Sequence, residues 1–193
     1  MAKRRRINIK FVVIAAMILV LGLGTAFVLM KTVFKPNPQK YMALAQQNIA
    51  SQDWESAVKN LSTAIKYSRH PDPGPWIMLA NALNHLSAKD PAEYVQQYRG
   101  ALHHALSIDP SNKDAISQLL EYHMDVAEAG GRMASNYEQI TKFATRLKEI
   151  DPADKRAEYA IHFATLDQWL NGSQTDPKLV GDAEDKLTQL LTT

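Results

Sequence analysis

The side chains best placed by type to do chemistry are six histidines, His70, His85, His103, His104, His123 and His162, and two carboxylates, Glu121 and Asp125, four residues apart. Histidine-held zinc needs ligands one helical turn apart, as in His-Glu-x-x-His, with cysteine thiolates or further histidines completing the shell. No two of these histidines stand four apart, and the chain has no cysteine. The expectation is therefore surface or groove histidines, no metal and no cofactor. Glu121 and Asp125 share one helix face, but acid and base catalysis by such a pair needs a raised pKa or a facing partner. A solvated acidic face is the commoner outcome. The chain also lacks a Gly-x-Ser-x-Gly elbow, a phosphate-cradling Gly-x-x-x-x-Gly-Lys loop and a dinucleotide fingerprint. A non-enzymatic role is expected, with the tryptophans and the Tyr94, Tyr98 pair in packing.

The segments that position these residues fall into two parts of opposite charge. Residues 1–35 carry seven of the 22 basic residues (Lys3, Arg4, Arg5, Arg6, Lys10, Lys31, Lys35) and no acid, which leaves 15 against 20 acidic residues, a net of −5. With no basic stripe after Lys35, a nucleic-acid partner is not expected. The 158 residues after Lys35 suffice for one domain with a real core.

Phe11 to Met30 is a 20-residue run without charge. As a helix it spans roughly 30 Å, the thickness of bilayer hydrocarbon. A cleaved signal peptide, cut near Gly24-Thr25-Ala26, is the competing reading, but cleavage there would expose Phe27 to Met30. An uncleaved signal anchor is favoured, with the bilayer contacted through Phe11–Met30. Five basic residues precede the run, and Lys31, Lys35 and Lys40 follow it. The positive-inside rule then keeps the N-terminus cytoplasmic and sends the domain to the extracytoplasmic side, the periplasm in a bacterium. The expected organisation is a basic tail at 1–10, a transmembrane helix at 11–30, a linker at 31–37 and a helical domain at 38–193.

Beyond the anchor, punctuation is dense. Asn37-Pro38, Asp90-Pro91, Asp109-Pro110, Asp151-Pro152 and Asp176-Pro177 each read as a helix cap followed by a first-turn proline. Ser135-x-x-Glu138 reads as a capping box, and Gly130-Gly131 as a flexible turn. Helices are expected near 38–51, 53–68, 75–87, 91–107, 112–129, 135–149, 154–170 and 177–191, in an all-α fold. These could form a bundle or a solenoid, and an internal repeat separates the two. Residues 101–110 and 143–152 both end in Ile-Asp-Pro, 42 residues apart.

Here the chain resembles the tetratricopeptide repeat family, whose helix-turn-helix unit has an aromatic-x-x-Leu start, small residues at helix crossings and a closing proline. Unit one offers Tyr41-x-x-Leu44-Ala45, Trp54 and Ala57-x-x-x-Leu61-x-x-Ala64. Unit two offers Trp76-x-x-Leu79-Ala80, Leu102, Ala105 and Pro110, and unit three Ile116-x-x-Leu119 and Pro152. A fourth, degenerate unit ends in a capping helix whose apolar face is Leu179, Ala183, Leu187 and Leu190. The resemblance implies a solenoid of about four hairpins. Its first helices would line a concave groove for a partner protein or peptide, built from Met42, Gln46 and Ile49, then Ile77, Asn81 and Asn84, then Ser117, Glu121 and Met124, then Tyr159, Phe163 and Leu166.

The subtype that grips a chaperone's C-terminal carboxylate uses Lys and Arg beside an Asn. Here Asn81 is present, but Met42, Gln46, Asp114 and Ser117 stand in the flanking units, and Glu121 and Asp125 would repel a carboxylate without a compensating cation. The function expected is a membrane-tethered adaptor, an accessory or assembly factor of an envelope complex. A permanent structural subunit is the alternative, and a catalytic or small-ligand role on the helical scaffold ranks below both.

Overall fold

A computed structural model describes residues 9–32, 36–172 and 176–192; within the first helix it describes the side chains of residues 13, 14 and 16–25. The described residues form nine helices: α1 Ile9–Thr32, α2 Pro38–Ala50, α3 Trp54–Tyr67, α4 Pro73–Ser87, α5 Pro91–Ile108, α6 Lys113–Glu128, α7 Ala134–Ile150, α8 Lys155–Leu170 and α9 Pro177–Thr192. Each of α2 to α9 begins and ends within two residues of its expected bounds. Most of the basic tail, the linker residues 33–35 and the side chains at 11, 12, 15 and 26–30 of the expected span lie outside the described residues. Among the described residues, no helix is long and apolar enough to cross a membrane.

Capping side chains start most of these helices. Asn37, Asp53, Asp72, Asp90, Asn112 and Asp154 each accept a hydrogen bond from a first-turn backbone N–H, which satisfies donors that the helix itself leaves open. Three sequence expectations are corrected. Asp109 and Asp151 do not cap the helices that follow; they close α5 and α7, and each carboxylate folds the next turn by accepting from the N–H of Ser111 (3.0 Å) or Ala153 (3.2 Å). The caps come three residues later, at Asn112 and Asp154. The capping box at Ser135 does not form, because α7 begins at Ala134 with Met133 at the cap position and no side-chain cap.

Gly130-Gly131 is a fixed helix terminus rather than a flexible turn. Gly130 has φ +94°, and the N–H groups of Gly130 and Gly131 donate back to Ala127 and Val126 carbonyls at 3.0 and 2.8 Å. That is a Schellman closure of α6. A Cβ on Gly131 would sit 2.5 Å from Val126 Cγ1 and 2.7 Å from its carbonyl oxygen, so both glycines are demanded by the geometry.

Successive helices pack on one another as antiparallel hairpins, α2/α3, α4/α5, α6/α7 and α8/α9, with α3/α4 and α7/α8 closing neighbouring hairpins together and α5/α6 the least packed junction. Alanines occupy the crossings: Ala45, Ala57, Ala64, Ala80, Ala101 and Ala105 are buried in the first half, with Leu61, Leu83 and Leu102 filling the space between. Ala115, Ala144, Ala157 and Ala160 serve the second half, around Ile116, Leu119, Phe143 and Leu147. Leu44 is exposed, since α2 heads the stack and packs mainly on α3. On α9 Val180 and Ala183 are buried and Leu187 and Leu190 half-buried, as the expected face requires except at Leu179, which faces outward while Val180 takes its place.

The matching Ile-Asp-Pro segments adopt one turn geometry. Asn112 N–H donates to Asp109 O at 3.1 Å and Asp154 N–H to Asp151 O at 3.0 Å. The two turns are also tied to each other: Arg146 donates to the Pro110 carbonyl, and Lys113 Nζ reaches Asp151 at 2.5 Å. Being partly exposed, that ion pair contributes little by itself. Burial should dominate instead. Leu119→Ala in the full-length protein should lose about 2–5 kcal/mol in urea unfolding, whereas Leu191→Ala, 79% exposed, should stay within about 0.5 kcal/mol.

Candidate functional site

α6 and α8, the first helices of the third and fourth hairpins, enclose a cavity of about 210 Å³ lined by Ser117, Leu120, Glu121, Met124, Leu147, Arg156, Tyr159 and Ala160. Four of the expected groove residues therefore meet: Ser117, Glu121 and Met124 from α6 and Tyr159 from α8. Their spacing explains this, since positions three and four apart share a helix face. Leu120, Leu147 and Ala160 are buried and supply an apolar floor. Phe163 continues the α8 face, its ring stacked on that of Tyr159 with centroids 6.0 Å apart, and Leu166 follows, half-buried.

The remaining expected residues stand on α2 and α4, outside the lining of this cavity. Met42, Ile49 and Ile77 are half-buried and pack against the core, as Met124 and Phe163 also do on α6 and α8. Gln46, Asn81 and Asn84 are exposed, and Asn84 accepts a hydrogen bond from Ser87 Oγ through its carbonyl at 2.7 Å.

Arg156 was not among the expected residues, and it overturns the expectation that Glu121 stands without a compensating cation. It lines the same cavity, one helical turn before Tyr159, and Glu121 lies near enough to favour its charged form. Its guanidinium is anchored by Asp154, to which Nε and a terminal nitrogen donate at 3.1 and 2.6 Å. Those bonds hold the Asp154 carboxyl below the usual carboxylate range. A bidentate pair of this kind fixes the direction of the guanidinium. The i, i+3 spacing of Arg156 and Tyr159 was available in the sequence as a signal. The cavity is thus mixed: an apolar floor, one acid, one base and the hydroxyls of Ser117 and Tyr159.

α8 is held in place from its far end. Tyr137, fully buried on α7, donates its hydroxyl proton to the Asp167 carboxylate, while Asn171 Nδ2 donates to the Tyr137 oxygen at 3.2 Å and to the Asp167 carbonyl at 2.6 Å. Arg132 approaches Asp167 at 3.7 Å. This network locks the α7–α8 spacing that the cavity depends on.

A crystal structure of MamA superposes with a TM-score of 0.53 over 87% of this chain and 87% of that one, at 15% identity. The chain is similar in fold to MamA. A second MamA crystal structure (80% of this chain, 90% of that one, 13% identity) and MamA 41-end from Desulfovibrio magneticus RS-1 (80%, 93%, 15%) superpose more loosely, with TM-scores of 0.41 and 0.39. No family model and no curated protein matches the sequence. The likeness to MamA is one of fold: sequential helical hairpins, the tetratricopeptide-like arrangement that the crossing alanines and closing prolines indicate.

Burial and the neighbouring carboxylate push the Tyr137 hydroxyl from 10.0 up to about 12. The folded state therefore favours the neutral phenol. Its contribution to stability is complete below pH 10 and is lost as pH rises from there through about 12. Tyr137→Phe should cost about 1–3 kcal/mol at neutral pH by leaving Asp167 short of a donor. In unfolding curves recorded across the alkaline range, the variant should also show a shallower loss of stability than the parent.

Proposed function

We propose that this chain is a protein–protein interaction scaffold that receives a peptide segment or helix of a partner in the α6–α8 cavity and along the Tyr159–Phe163 face. The observation that carries this reading is the cavity itself, an apolar floor with convergent polar groups between the first helices of two successive hairpins. An apolar anchor would fill the space over Leu120 and Leu147. Glu121, Arg156 and the Tyr159 hydroxyl would then select the flanking polar groups. The reading assigns binding and no catalysis.

The scaffold is tethered, in this reading, by the uncharged run Phe11–Met30, with the N-terminus cytoplasmic and the hairpins on the extracytoplasmic side. Support comes from the sequence run and from the 24-residue helix α1, whose described apolar side chains Ile18, Leu19, Val20, Leu21 and Leu23 are all exposed. Anchoring would confine the groove to the envelope and point to an accessory or assembly role there. A permanent structural subunit is the second reading. It is favoured by the apolar surface left open near the end of the stack, where Trp169 is 49% and Leu170 73% exposed.

Two experiments test these points. The full-length protein should resist alkaline extraction from membranes, and deletion of residues 1–35 should release it. Recovery of the full-length chain in the soluble fraction would end the tether reading. Crosslinked partners recovered by affinity purification should be lost with Met124→Ala/Tyr159→Ala and kept with Asn81→Ala/Asn84→Ala. Retention of the same partners by the first variant would move the interface elsewhere, and loss only on Trp169→Ala/Leu170→Ala would select the structural-subunit reading.

A further inference from the structure

A second cavity, of about 410 Å³, opens at the least packed junction of the stack, between hairpins two and three. It is lined by Arg99 from α5, Tyr122, His123 and Val126 from α6, and Met133, Ser135, Asn136 and Gln139 at the start of α7. That volume is in the range of small-ligand sites, and no carboxylate is among the lining residues.

Its polar groups are unequally satisfied. His123 and Asn136 satisfy each other: Nδ1 of the imidazole lies 2.6 Å from Asn136 Oδ1, while Asn136 Nδ2 donates to the His123 carbonyl at 2.9 Å. Because Oδ1 must accept, the Nδ1 position carries the proton. Arg99 has no such arrangement. Its guanidinium lies 5.1 Å from the centre of the Tyr122 ring, and its buried Nε has no hydrogen-bond acceptor among the described residues. No carboxylate pairs with Arg99 among the described residues, so a guanidinium that lines the cavity is open to an anion.

Basic side chains gather beside the cavity, with the Glu121 and Asp125 carboxylates of α6 near Tyr98, the residue before Arg99 on α5. Lys142 Nζ lies 5.7 Å over the Phe143 ring, and His103 and His123 approach the same ring with centroid distances of 6.4 and 5.8 Å. Burial, and after it the basic groups Arg99, Lys142, His123 and His104, hold the His103 pKa down. At the mouth of the cavity, α7 starts without a side-chain cap, so the positive end of its dipole adds to the same field.

We infer that this cavity binds an oxyanion of the carboxylate or phosphate class, with the Arg99 guanidinium as the principal donor and Ser135, Asn136 and Gln139 at its rim. The anion accepts from the terminal nitrogens of Arg99, the guanidinium that lines the cavity without an ion-pair partner among the described residues. Tyr122, Val126 and Met133 would cover the apolar part of a small organic acid. The site is separate from the α6–α8 groove and does not depend on what that groove binds.

Calorimetric titration of the full-length protein in detergent micelles, at neutral pH and constant ionic strength, with succinate and with inorganic phosphate tests this. Saturable binding of at least one anion is expected, and the tighter of the two distinguishes an organic acid from a phosphate source. Arg99→Gln should weaken it about tenfold or more, and Lys59→Gln on α3 should leave it unchanged. Ser135→Glu places a carboxylate at the rim, where a helix start favours it, so this variant should fold normally and lose the binding. Absence of saturable binding for both anions overturns the inference. So does unchanged affinity in folded Arg99→Gln or in Ser135→Glu.

Discussion

Helices of 13 to 18 residues, the lengths of α2 through α9, do not persist in water alone, because nucleation is unfavourable and packing must supply the stability. Everything in this stack depends on how closely one helix can approach the next. Alanine at the crossings sets that distance: with Ala57, Ala64, Ala80, Ala105, Ala115, Ala144 and Ala160 buried, backbones come close enough for Leu61, Leu102, Leu119 and Leu147 to fill the gaps between. Interiors at near-crystalline density tolerate little change in volume. A larger residue at a crossing would therefore displace a whole helix, and with it any groove residue that the helix carries.

Helix number, order and bounds were legible because capping chemistry is local. An Asn or Asp ahead of a first turn acts through its own backbone neighbourhood, and that neighbourhood is contained in the sequence. At Asp109, Asp151 and Ser135 local chemistry permits two outcomes. Asp109 and Asp151 precede prolines as caps do, but each accepts from an N–H two residues on, which folds a turn and defers the cap to Asn112 or Asp154. Ser135 had its capping partner at the correct spacing. The Schellman closure at Gly130-Gly131 instead started α7 one residue earlier, at Ala134.

The groove was legible in part for a different reason. Carrying one register along successive first helices located Ser117, Glu121, Met124 and Tyr159, because the i, i+3, i+4 periodicity survives in α6 and α8. The same face includes Arg156, three residues before Tyr159, but its meeting with Glu121 depends on the approach of α6 and α8 over Leu147 and Ala160, which the sequence pattern does not contain. On α2 and α4 the same register gave residues that pack into the core, Met42, Ile49 and Ile77. Periodicity identifies a face, whereas the neighbouring helix decides how much of that face remains open.

The two cavities share α6 as a wall. At about 100° per residue, Ser117, Glu121 and Met124 lie on roughly the opposite side from Tyr122, His123 and Val126, so the groove and the basic cavity border the same 16-residue helix from its two sides. The attachments of that helix differ. Toward α8 it is tied by Lys113 to Asp151 and through α7 by the buried Tyr137–Asp167 bond, whereas toward α5 the packing is slight and Tyr98 supplies a hydrogen bond from its hydroxyl to the Gln118 carbonyl at 3.2 Å. Burial, with Glu121 and Asp125 nearby, raises the Tyr98 pKa, so that hydroxyl stays a donor across the physiological range. Hairpins three and four therefore behave as the firmer unit, and the α5–α6 junction is where the stack can yield at the lowest cost in buried surface.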